Sequence, residues 1–162
     1  KPNEVVRGIP WTTLFMIGGM TVYVSVIKSL GGVELLVEIL VTVANKAIAP
    51  ALMSGLCGIM SLFSSGNGIV IPTMTSTIAS LTEAIPGLVG QTMFTAVMMG
   101  ANATCISPMS TIGAQGLAYY AAAASPTEEQ TKKVFNKLFV FAGCFLVWSV
   151  IAGLLGLYGI LI

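Results

Sequence analysis

The chain contains no histidine and, read from end to end, no aspartate either. Those two absences remove most hydrolytic and metal chemistry. Ser/His, Cys/His and paired-Asp arrangements cannot be assembled, and the common zinc sets lack their nitrogen donor. Charge is almost as scarce, at 8% of 162 residues, against about 25% in ordinary soluble domains. Between Lys46 and Glu128 the only formal charge is Glu83, and none follows Lys137. The net charge of +1, with no basic patch interleaved with aromatics, leaves nucleic acid without a footprint. Three cysteines, Cys57, Cys105 and Cys144, fall singly in apolar runs and read as small buried hydrophobes rather than ligands or redox pairs. An enzyme is not expected.

What is present is apolar surface. Hydrophobic residues make up 56% of the chain, and the mean hydropathy is +0.94. The composition predicts an integral, all-α membrane protein whose partner is the lipid bilayer. The opening KPNEVVRGIP shows no cleavable hydrophobic leader and reads as a loop belonging to something longer.

Five segments are expected. Residues 1–32 hold a first transmembrane helix from Pro10 to about Leu30, anchored by Trp11 beside Arg7 and with Lys28 near its far end. Gly18 and Gly19 read as packing sites within it. Residues 33–47 carry Glu34, Glu38, Thr42 and Asn45 as one wet stripe, which suits a helix lying in the membrane interface, or the solvated face of an ordinary connector.

Residues 48–87 form two short apolar arms around Ser64-Ser65-Gly66-Asn67-Gly68. The first arm is too short to cross a bilayer, so the expectation is a re-entrant hairpin. In residues 88–124, Pro108 interrupts an apolar run and should unwind it from Asn102 to Pro108, although a kinked continuous helix is the alternative. Residues 125–162 are a charged loop, SPTEEQTKK, and a last span from Val134 to Ile162. Three crossings put Lys1, Arg7, Lys132, Lys133 and Lys137 on one side and Lys28 and Lys46 on the other. That bias predicts a cytoplasmic N-terminal side and a C-terminus outside.

Non-helical backbone inside a bilayer is tolerated where it lines a cavity or is buried in protein. The two breaks carry Ser64, Ser65, Asn67, Thr73, Thr104, Ser107, Ser110 and Thr111, all neutral oxygen donors. Such oxygens suit Na⁺, and the missing carboxylates argue against a divalent cation or an acidic proton relay. The competing reading is that these hydroxyls only bond back to helix carbonyls.

The run IPWTTLFMIGGMTVYVSVIKSLGG, the tip SLFSSGNGIVIPTM and the loop ANATCISPMST, in this order and spacing, resemble the C-terminal half of the divalent-anion:sodium symporters. These are dicarboxylate carriers of the ion transporter superfamily. The resemblance implies one ion-transporter-type repeat that pairs with a missing N-terminal half and is usually dimeric. It also implies Na⁺-coupled uptake of a dicarboxylate or similar organic anion by an elevator motion, in a bacterial inner membrane.

Joined to the two breaks, it makes Ser61, Ser64, Gly66, Asn67, Asn102 and Thr104 candidate Na⁺ ligands. Ser65, Asn67, Thr73, Ser107 and Ser110 become candidate substrate contacts. The tip reads Ser65-Gly66-Asn67 rather than Ser-Asn-Thr, and the loop has a single Pro108 where many members carry a pair. These departures leave an arsenite- or citrate-permease relative, or a proton-driven one, open. A membrane assembly subunit whose glycines and hydroxyls serve packing alone is the reading from another class.

Overall fold

Two glycines open the first helix that can be followed throughout, because Gly31 adopts the left-handed conformation (φ 77°) that glycine reaches at little steric cost. The computed structural model describes residues 18–19, 22–23, 25–27 and 29–160, and among them every regular element is helical. Most of the expected first crossing, with Arg7, Trp11 and Lys28, lies outside the described residues. Gly18, Gly19, Val22 and Tyr23 within it are helical.

Helix α1, Gly32–Val43, presents Glu34, Glu38 and Thr42 to the exterior and packs Leu36, Val37, Leu40 and Val41 toward the core. It ends earlier than the expected arm. The Asn45 side-chain oxygen accepts the N–H groups of Ala47 (3.0 Å) and Ile48 (3.1 Å), a local turn that competes with further helix. Asn45 therefore shapes the entry to the next helix as well as extending the polar stripe.

Helix α2, Ala49–Phe63, has Pro50 in its first turn, where the missing N–H costs nothing. It packs most extensively on α5, Gly90–Ala103, and on α7, Glu128–Leu154. Small residues set the register. A Cβ on Gly100 would run into the Ser54 carbonyl, and one on Gly58 would lie 3.5 Å from the Thr104 methyl. The constant offset makes α2 and α5 parallel.

On the other side, Gly153 approaches Ala51, Gly55 faces Val150 and Gly58 abuts Leu146, so α7 runs antiparallel to α2. At 1.5 Å per residue, the end of α2 reaches about halfway along the 27-residue α7. Among the described residues α7 is the one helix long and apolar enough to cross a membrane.

After α2 comes a break at Ser64 and Ser65, shorter than the five-residue tip expected. A π-helical turn, Gly66–Val70, already starts the return. Its N–H of Val70 donates to the Ser65 carbonyl at 3.1 Å. Pro72 has no N–H and crowds the carbonyl of Gly68, which the wider π turn relieves.

The second arm is also not one helix. It divides into α3, Ile71–Thr75, and α4, Ile78–Ala84. At the division the hydroxyls of Thr75, Ser76 and Thr77 donate to the carbonyls of Ile71 (2.7 Å), Thr73 (2.6 Å) and Met74 (2.7 Å), back-bonding that loosens helices. This arm packs on α5 and, through α4, on α1.

Helix α5 runs through Asn102 and Ala103 before unwinding, so the second break spans Thr104 to Ser110 rather than Asn102 to Pro108. Helix α6, Thr111–Ala124, restarts the path with Ser110 as its cap. It turns at Ser125, which takes a left-handed φ of 43°.

The last long helix begins at Glu128, six residues before the expected span. Thr127 and Gln130 form a reciprocal capping box there. It stops at Leu154 because Gly156 is left-handed (φ 73°), and α8, Leu157–Ile160, follows. α8 folds back so that the fully buried Tyr158 reaches Ser149 of α7 (2.9 Å) and Ser54 of α2 (3.1 Å).

Candidate functional site

Two helix C-termini meet at the level of the α7 midpoint. Helix α2 ends at Phe63 and the parallel α5 ends at Ala103, so each leaves its last carbonyls without an intrahelical donor. The side chains of each element supply donors to the other. Ser61 on α2 donates to the Ala101 carbonyl of α5 at 2.7 Å. Ser107, in the break after α5, donates to the Leu62 carbonyl of α2 at 2.8 Å. Thr104 adds a third tie, to the Gly58 carbonyl at 2.7 Å. All three hydroxyls are buried, where an unmatched carbonyl would be costly.

Gly66 completes the junction. A Cβ there would stand 2.8 Å from the Ser61 Oγ and 2.9 Å from the Ala101 oxygen. Only glycine lets the returning π-helical turn lie directly on the end of α5. Gly113 does the same on the far side of the break, since its missing Cβ would collide with the Ser107 carbonyl. Ser110 donates to the Ser107 carbonyl (2.8 Å) and to that of Cys105, and it accepts the Gly113 N–H (3.2 Å). The break is thus a tightly hydrogen-bonded loop.

The predicted site residues divide into three groups. Ser61, Gly66, Thr104 and Ser107 come together across the junction, with Ser110 beside them. Ser64 and Ser65 stay local: Ser64 donates to the Met60 carbonyl (2.8 Å), and Ser65 accepts the Gly68 N–H (3.0 Å).

Asn67, Thr73 and Asn102 stand outside the hydrogen-bonded core. Asn67 is exposed, with no side-chain hydrogen bond among the described residues. Asn102 is exposed and donates to the Met98 carbonyl (2.8 Å). Thr73 is half-buried on α3, and Thr111 is exposed at the start of α6. Because Gly66 lies on Ala101, Asn67 and Asn102 each follow one partner of that contact.

Residue-type reasoning missed the carbonyls of Gly58, Leu62 and Ala101, and also Gly100 and Gly113. The glycines were the available signal, since each marks a close backbone approach.

Electrostatically the junction gathers two helix C-termini, each worth about half a negative charge, and no acid. No group of three His, Cys, Asp or Glu stands close enough to hold a metal among the described residues. A cation here would rely on neutral oxygens. The same breaks also begin two forward segments, at Ser65 and Ser110, whose first N–H groups favour anions. The chain matches no family model, no curated protein and no solved structure.

Proposed function

We propose that the chain is the C-terminal half of a secondary transporter embedded in a membrane, moving a small organic anion, a dicarboxylate by preference, together with Na⁺. One observation carries this reading. The end of a half-length helix and the end of a broken helix converge midway along the long apolar helix α7, tied by Ser61, Thr104 and Ser107. Converging helix C-termini attract a cation, while the restarting segments offer N–H groups to a carboxylate.

The neutral oxygens of Ser61, Thr104, Asn67 and Asn102 fit Na⁺ better than a divalent ion, which would call for carboxylates. When bound, Na⁺ would supply positive charge that holds the anion beside it. In this reading Ser65, Asn67, Thr73, Ser107 and Ser110 are the residues assigned to the anion. A matching N-terminal half completes the site. A bacterial inner membrane, a dimer and elevator motion go with this reading.

A packing-only assembly subunit is favoured by the engagement of every buried junction hydroxyl with a carbonyl. Uptake of radiolabelled succinate or malonate into proteoliposomes holding the complete protein, with and without a Na⁺ gradient, separates the two. Transport stimulated by Na⁺ supports the proposal. Absence of any dicarboxylate uptake would sink it, and uptake indifferent to Na⁺ would remove only the coupling.

A further inference from the structure

We infer that the outer face of α5 lines a water-filled approach from the loop before Gly90 to the junction, taken by the solute and its cation, an inference that rests on the transporter reading above. Met93, Ala96, Val97, Gly100 and Ala101 are buried and define the packed face of α5. Gln91, Thr95 and Asn102, spaced four and seven residues apart, fall on the opposite face. Gln91 and Asn102 are exposed and Thr95 is half-buried. From Gln91 to Asn102 the helix rises about 16 Å, roughly half of a hydrocarbon core of about 30 Å.

The line starts at water and ends at the break. Lys46 is exposed with its ammonium against Gly87, and Glu83 is exposed near the end of α4, so the loop leading into α5 lies at an aqueous surface. At the far end Asn102 follows Ala101, whose carbonyl accepts from Ser61.

Hydrocarbon does not suit this face. Thr95 donates to the Gln91 carbonyl (3.0 Å) and Asn102 to the Met98 carbonyl (2.8 Å), but the Gln91 carboxamide makes no hydrogen bond among the described residues. A carboxamide without a partner is costly in lipid. The exposed face of α7 differs, since from Leu138 to Leu154 it carries no hydroxyl, carboxamide or charge, Ser149 being buried. Helix α7 suits lipid where α5 calls for water. The polar groups on α5 are neutral, and a carboxamide both donates and accepts, so the path serves an anion and a cation alike.

The test uses the complete protein in proteoliposomes, carrying Gln91→Cys, Thr95→Cys or, on α7, Val147→Cys, treated with membrane-impermeant anionic or cationic methanethiosulfonates. Peptide mass spectrometry locates the label and reads the native Cys144, exposed on α7, at the same time. Gln91→Cys and Thr95→Cys should react about tenfold or more faster than Val147→Cys and Cys144, because the thiolate is the reactive form and hydrocarbon disfavours it. The two reagents should react alike, and label at Thr95→Cys should slow dicarboxylate uptake. Hydroxyl-radical footprinting of the unsubstituted protein should oxidise Met98 and Met99 on α5 before Trp148 on α7.

Labelling on α5 as slow as on α7, with Met98 and Met99 protected, would mean that lipid or a helix of the missing half covers the face, and would overturn the path. Uptake unchanged by label at Thr95→Cys would do the same. Fast labelling of a protein that takes up no dicarboxylate would overturn the transporter reading, and with it the use of the path.

Discussion

Ser61 and Ala101, forty residues apart in the chain, are joined by a 2.7 Å hydrogen bond from the Ser61 hydroxyl to the Ala101 carbonyl. Gly66 lies flat against the pair. This contact locks the tip of one helical hairpin onto the end of a separate broken helix.

Removing the hydroxyl should loosen that lock modestly. Hydrogen bonds between helices in membranes average about 0.6 kcal/mol and reach about 1.7. Ser61→Ala should therefore cost about 1 kcal/mol in the unfolding free energy of the reconstituted protein. Gly66→Ala should cost more, because its methyl would have to displace backbone, and should reduce ligand-dependent activity with it. A Gly66→Ala protein of wild-type stability would contradict the close approach.

The glycines should sort sharply. Gly100→Ala and Gly113→Ala drive a methyl into the backbone carbonyls of Ser54 and Ser107. Overpacking of this kind costs about 1–3 kcal/mol or more, so thermal melts should fall clearly or the protein should fail to accumulate. Gly116→Ala and Gly143→Ala meet nothing within 4 Å. Both are helical, so they should leave stability unchanged or raise it by about 0.5–1 kcal/mol.

Tyr158 closes the other end of α2. Its hydroxyl donates to the Ser149 carbonyl at 2.6 Å and lies 3.1 Å from the Ser54 hydroxyl. Tyr158→Phe should keep the ring packing and lose about 1 kcal/mol. Proteolysis beyond Leu154 should become faster as α8 detaches. Unchanged proteolysis would mean that ring burial alone holds α8.

Asn67 is the sharpest test of the proposed site. Its side chain is exposed and makes no hydrogen bond among the described residues, so Asn67→Ala should stay within about 0.5 kcal/mol of the wild-type stability. The proposed transport should nevertheless be lost. Wild-type uptake by this variant would place the ligand site elsewhere.

Much of the fold was legible because apolar runs and their interruptions are local signals. Pro108 announced a break, and the cluster from Ser64 to Gly68 announced another. Boundaries were less legible, since side-chain hydrogen bonds to nearby backbone decide them. Asn45 cut α1 short, Ser65 shortened the hairpin tip, and Thr127 with Gln130 started α7 early. The junction itself was half legible. Thr104 and Ser107 stood out as hydroxyls at a break and Ser61 entered through the resemblance alone, but their acceptors are backbone carbonyls, which every residue has and no sequence pattern marks.

By itself the sequence determined that the chain is helical and apolar, that it lacks histidine and aspartate, and that it is interrupted at two neutral, hydroxyl-rich places. Those features follow from side-chain chemistry and from the backbone limits of proline and glycine. Only the tertiary structure decided that the two interruptions meet, that α2 and α5 run parallel so that two C-termini converge, and that Gly66 and Gly113 make the approach possible. Register between helices far apart in the chain depends on which small residues face one another, and that is fixed when the surfaces pack.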